Sequence, residues 1–116
     1  MNELTLTTRT TAGGTVVLDL LGELDFYTAP QLRDAVAVLA LEAGQRLVLD
    51  LGALTFCDSS GISMLIGARN HALAAGADIA LAAVPARVLR IFTVVGLDQV
   101  FTCHPSTEAA LAPRAD

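Results

Sequence analysis

Aromatic residues are scarce, at 4% of a chain whose hydrophobic content is 53%. The core therefore has to be built from aliphatic side chains and alanine. Lysine is absent. The seven basic residues are all arginine, scattered singly against twelve acids, for a net charge of −5. Without a basic stripe or an aromatic stacking platform, the composition argues against direct nucleic-acid binding. Long apolar runs are missing too. Mean hydropathy is high at +0.59, yet the longest purely apolar run, residues 35–41, falls far short of the roughly 18–20 residues a membrane span needs. The first residues, Met1-Asn2-Glu3, lack both the basic and the apolar region of a secretion signal. A cytoplasmic protein without membrane partners is expected.

Cysteine and histidine are equally sparse. Cys57 and Cys103 are far apart and form no CxxC, so free thiols in a reducing compartment are expected. His71 and His104 have no ligand-like neighbours at metal-site spacing, so neither predicts a metal. With 116 residues and no linker, repeat or low-complexity segment, residues 1–116 read as one domain.

What is present is an alternation of strand and helix patterns. Residues 4–8 alternate apolar and polar, Ala12-Gly13-Gly14 signals a turn, and residues 15–21 read as a second strand, so the chain opens on a β-hairpin. Thr28-Ala29-Pro30-Gln31 matches a capping box and predicts a helix over 29–43, stopped by Gly44, with Leu32, Ala35, Val36, Leu39 and Ala43 inward. Val38 and Leu41 fall off that stripe. Residues 46–51 form a near-continuous apolar run, as expected of a central strand. A helix over 60–75 ended by Gly76 follows, then a strand over 78–83. Next comes a helix over 86–95, with Val88, Leu89, Phe92 and Val95 inward and Gly96 as terminator. A short strand over 98–101 and a short last helix from Ser106-Thr107-Glu108 to Leu111 complete the pattern, with 113–116 as a frayed tail. The order β-β-α-β-α-β-α-β-α predicts an α/β fold: a sheet with a parallel core, right-handed crossovers and an antiparallel hairpin at its start.

The chain is organised around Phe56-Cys57-Asp58-Ser59-Ser60-Gly61. This stretch delivers the central strand into a helix, and Asp58, Ser59 and Ser60 can all cap that helix. Orphan N–H groups and the positive end of the helix dipole suit an anion there. Ser59 is accordingly the candidate phosphorylation site, with Ser60 as the rival acceptor. The same residues also fit an ordinary helix start, with Gly61 serving only close packing. A second acidic turn tips the balance. Asp25, like Asp58, follows a strand, and carboxyl ends of parallel strands gather at one edge. That would place Glu23, Asp25, Asp58, Ser59 and Ser60 around one surface.

Three other chemistries are open to such a cluster. Asp25 with Asp58 could hold Mg²⁺, but no phosphate-binding lysine or glycine-rich loop accompanies them. A serine hydrolase needs G-x-S-x-G. Gly61 supplies its second glycine, Cys57 replaces the first, and His71 is about three helical turns away. Nucleotide binding at the Asp25/Asp58 edge is the third. No catalytic residue, metal or cofactor is assigned.

Leu20-Leu21-Gly22-Glu23-Leu24-Asp25, Leu47-Val48-Leu49-Asp50-Leu51 and Leu54-Thr55-Phe56-Cys57-Asp58-Ser59-Ser60-Gly61 together resemble the STAS domain, and within it the bacterial anti-sigma-factor antagonists. Val95-Gly96-Leu97-Asp98-Gln99-Val100-Phe101 resembles the family's last strand region. The resemblance implies a mixed sheet of about four to five strands with helices mainly on one face. It also implies a phosphorylation switch rather than an enzyme. The unphosphorylated protein would bind an anti-sigma factor with serine kinase activity and release its sigma factor. Phosphorylation at Ser59 would abolish binding, and a metal-dependent serine phosphatase would reset it. Glu23, Asp25, Asp58, Ser60 and Gly61 would then be partner-binding positions. Two departures stand out: Cys57 replaces a larger aliphatic residue, and Ser63 stands where glycine or a basic residue is expected. The alternative implied by the family is a STAS subunit of a larger assembly, a stress-sensing complex or lipid-transport system, without a phosphorylation cycle. The oligomeric state, monomer or weak dimer, is left open.

Overall fold

The structure, a computed structural model, describes residues 3–111. The expected tail at 113–116 lies outside the described residues. A hairpin of β1 (Leu4–Thr10) and β2 (Val16–Leu24) leads into α1 (Ala29–Ala37). Then come β3 (Arg46–Cys57), α2 (Ser59–Ala74), β4 (Asp78–Ala82), α3 (Ala86–Val95), a 3₁₀ turn (Leu97–Gln99), β5 (Thr102–His104) and α4 (Thr107–Leu111). The five strands lie in chain order, β1 antiparallel to β2 and every later neighbour parallel. This is the expected mixed α/β sheet.

Strand alternation sorts the core into two layers. Leu18, Leu20, Leu47, Leu49, Leu51 and Leu81 face α1, α2 and α3, which insert Leu32, Val36, Leu65, Val88 and Phe92. Val17, Val48 and Ala82 face the other way, where Ala110 of α4 meets them. β3 is thus covered on both sides at its centre, which explains its unbroken apolar run. Of the four helices among the described residues, three share one face. Among the described residues no helix is long and apolar enough to cross a membrane.

Three expectations are corrected. α1 stops at Ala37 rather than residue 43. Ending it there lets both Leu39 and Leu41 pack against the core, which one continued helical stripe would not allow. Gly44, at φ +86°, instead serves the turn into β3. In α3 only Val88 and Phe92 are buried, while Leu89 and Val95 are 37% and 57% exposed. The spacing chose the side on which Val88 and Phe92 lie but made the buried stripe too wide. The strand expected at 98–101 is helical in its first part. Leu97 and Phe101 are both buried, and the Phe101 N–H donates to the Leu97 carbonyl at 3.0 Å. Pairing resumes where Thr102 meets Ala80.

Candidate functional site

The site sits where β2 and β3 end side by side. β2 reaches it through a kink. Gly22 has φ +115°, and a Cβ there would lie 2.3 Å from the Glu3 carbonyl oxygen, so only glycine fits. The β2–β3 register shifts on both sides of this residue, as in a bulge. Leu24 then pairs with Cys57, and its carbonyl accepts the Asp58 N–H at 3.2 Å.

Asp58 is the N-cap of α2. Its backbone is extended, at φ −104° and ψ −173°, and its Oδ1 accepts the Gly61 N–H at 3.0 Å. Its Oδ2 accepts the Phe26 N–H at 3.3 Å. One carboxylate therefore both starts the helix and ties down the loop that follows β2. Ser59, the first residue of α2, is exposed, and Ser60 is half-buried. The Ser63 hydroxyl, one turn on, donates to the Ser59 carbonyl at 3.0 Å. Cys57 is buried beneath the turn, and burial, with the Asp58 carboxylate adding to it, pushes its thiol up to about 12. That protonated thiol is a packing group, not a nucleophile.

Asp25 takes a different position from the one expected. It is only 4% exposed, and its Oδ1 accepts the N–H groups of Tyr27 at 2.9 Å and Thr28 at 3.0 Å. Thr28 does not form the expected capping box. Its hydroxyl accepts the Asp25 N–H at 2.9 Å and donates to the Glu23 carbonyl at 2.8 Å. The two side chains lock the 23–28 turn onto itself, because its two ends, at Asp25 and Thr28, are buried and their polar groups must be satisfied within it. Gly61 is buried as well. A Cβ there would stand 2.7 Å from the Leu24 carbonyl oxygen and 2.9 Å from the Cys57 Sγ. This glycine lets α2 approach β2 and offers no side chain to a partner. Glu23 reaches the same edge, but strand alternation turns it, with its neighbour Phe56, to the sheet face opposite Leu24 and Cys57. The structure brings Asp25, Asp58, Ser59, Ser60 and Gly61 together. Of these, Asp58, Ser59 and Ser60 reach the surface.

Sequence reasoning passed over the aromatics beside them. Phe26 and Tyr27 are 69% and 76% exposed, in edge-to-face contact with ring centroids 5.6 Å apart. Phe26 also lines a groove of about 270 Å³ with Pro30, Arg33, Ser60, Ser63 and Met64. The available signal was an aromatic pair outside any helix or strand stripe in a chain poor in aromatics. Among the described residues, no group of three or more His, Cys, Asp or Glu is placed to hold a metal.

Comparison with known proteins bears on the family and the fold. The family model described as "Mlab, STAS domain" matches residues 7–103. The anti-sigma-B factor antagonist of Listeria monocytogenes serovar 1/2a is 30% identical over 68% of this chain and 69% of its own. Among solved structures, an anti-sigma factor antagonist from Mycobacterium paratuberculosis superposes with a TM-score of 0.76 at 30% identity, covering 94% of this chain and 92% of that one. The anti-sigma factor antagonist SpoIIAA in its unphosphorylated form gives 0.69 at 26% identity, covering 91% and 93%. The chain belongs to the STAS domain family, and the relatives named here are of the anti-sigma-factor antagonist type.

Proposed function

We propose that this protein is a regulatory binding module of the cytoplasm, switched by phosphorylation at Ser59, and not an enzyme. In its unphosphorylated form it binds an anti-sigma factor with serine kinase activity, so that a sigma factor is released. The phosphorylated form lets go, and a metal-dependent serine phosphatase restores it. The observation that carries the reading is the exposed Ser59 at the first position of α2, directly after the capping Asp58. The names of the relatives, anti-sigma factor antagonists, one of them solved in an unphosphorylated form, support the partner class.

The chemistry suits a change in binding without a change in fold. A phosphate adds about −1.5 to −2 charges. At the start of a 16-residue helix those charges are welcomed by unpaired N–H groups and the dipole. Asp58 lies next to them and the buried Asp25 behind it, so a docking partner would have to desolvate several like charges at once. A hundredfold to thousandfold loss of affinity needs only about 3–4 kcal/mol, which a few unfavourable charge contacts at an interface supply. The test is incubation with each serine-kinase anti-sigma factor of the source genome and ATP, followed by phosphopeptide mapping. Modification at Ser59, abolished in Ser59→Ala, is the expected result. Modification elsewhere, or by no such kinase, overturns the reading.

A second reading, a non-phosphorylated module within a larger assembly, draws on α3. Its Val94 and Val95 are 85% and 57% exposed, an apolar surface remote in sequence from the Ser59 turn.

A further inference from the structure

The phosphorylation reading explains how the partner is released but not what holds it beforehand. Most of the expected contact residues are withdrawn from the surface: Asp25 and Gly61 are buried, and Glu23 faces away. Small polar groups such as Ser59 and Ser60 are poor sources of affinity, because well-bound interfaces rest on a few aromatic or arginine anchors.

The geometry points to the Phe26–Tyr27 pair as the anchor that docks into an apolar recess of the same anti-sigma factor kinase, an inference that rests on the function proposed above. The two residues together expose roughly 300 Å², over a third of the about 800 Å² that a standard interface covers on each partner. Its rigidity is the second argument. Asp25 holds the Tyr27 and Thr28 amides, Thr28 holds Asp25 and Glu23, and Asp58 holds the Phe26 amide. Exposed rings on a loop fixed in this way lose little freedom on docking. The third argument is continuity. Asp58 binds the Phe26 N–H with one oxygen and the start of α2 with the other, so anchor and switch occupy one contiguous surface. Phe26 also opens onto the groove that Ser60 lines.

Charge selects the occupant. A second copy of this chain, with net charge −5, would bring Asp58 and Ser59 against an equally acidic edge. A kinase that modifies Ser59 has to approach this same edge, which puts its surface against the rings. The anchor and the switch then have separate tasks: the rings supply affinity, and the phosphate cancels it.

Tyr27 is the only tyrosine, so biosynthetic 3-fluorotyrosine places a single fluorine on the anchor of the intact chain. The probe partner is the unlabelled kinase that phosphorylates Ser59. Its addition without ATP should shift and broaden the fluorine resonance, and Phe26→Ala/Tyr27→Ala should weaken binding at least tenfold. The thermal midpoint should stay near the parent's, since both rings are exposed, and Tyr27→Phe should restore binding to Phe26-containing protein. Kinase binding, measured by sedimentation, with an unmoved fluorine resonance or a parent-like double variant would overturn the anchor and leave the switch standing. No binding by any such kinase would remove the switch and the anchor with it. A fluorine shift with protein concentration alone would assign the rings to self-association instead.

Discussion

Asp25 and Asp58 look alike in the sequence. Each follows a strand, each precedes a helix, and each is three residues ahead of an amide it could cap. In the structure they do opposite work. Asp25 turns inward and spends its acceptor on the N–H groups of its own loop, Tyr27 and Thr28. Asp58 spreads its two oxygens between α2 and the Phe26 amide of the neighbouring loop, and leaves Ser59 in solvent. The difference comes from what lies underneath. Below Asp58, Gly61 lets the helix sit on the Leu24 carbonyl, so the turn is held by packing and its surface is free for chemistry. The Asp25 turn has no such glycine beneath it and is held mainly by its own side chains, with one oxygen of Asp58 on the Phe26 amide.

This contrast can be broken at several points. The largest effect is expected at alkaline pH. Cys57, directly before Asp58, has its thiol raised from 9.0 to about 12 by burial first and Asp58 second. The folded state therefore keeps a proton that the unfolded state loses. The associated stability is fully present below pH 9 and disappears as pH climbs towards 12, up to on the order of 3–4 kcal/mol. Urea titrations across that range should show the decline, with a shallower slope in Cys57→Ala. Asp25→Ala should cost about 2–3 kcal/mol, because it strips the partner from N–H groups in a buried turn. Gly61→Ala should cost about 2 kcal/mol through the collision with Leu24 and Cys57. Asp58→Ala, which loses the α2 cap and a long, exposed bond to the Phe26 amide, should cost about 1–2 kcal/mol. Ser59→Ala should fall within about 0.5 kcal/mol of the parent, as a surface change does. If Asp58→Ala proved costlier than Asp25→Ala by denaturant unfolding, the division of labour between the two carboxylates would be wrong.

Much of this was legible in the sequence. The apolar run of β3 announced a strand buried on both faces, and Asp58 before a helical pattern announced its cap. The Asp-Ser-Ser-Gly turn pointed to the edge where β2 and β3 end side by side. Other features turn on competition that a linear pattern does not resolve. Thr28 has one hydroxyl, and the capping-box reading lost to the tighter contacts with Asp25 and Glu23. The inward turn of Asp25 depends on the kink at Gly22, which packs against the Glu3 carbonyl just before β1. The end of α1 depends on where Leu39 and Leu41 find core. Phe26 and Tyr27 read as residues of a loop, and only the fold reveals that Phe26 opens onto the groove lined by Ser60.

The central claim is that charge added at Ser59 controls docking on a surface whose shape does not change. The most direct measurement is calorimetric titration of one serine-kinase anti-sigma factor with the unmodified chain and with the chain stoichiometrically phosphorylated at Ser59. The expected result is a hundredfold to thousandfold weaker association for the phosphorylated form, about 3–4 kcal/mol. Equal affinity for the two forms would contradict it.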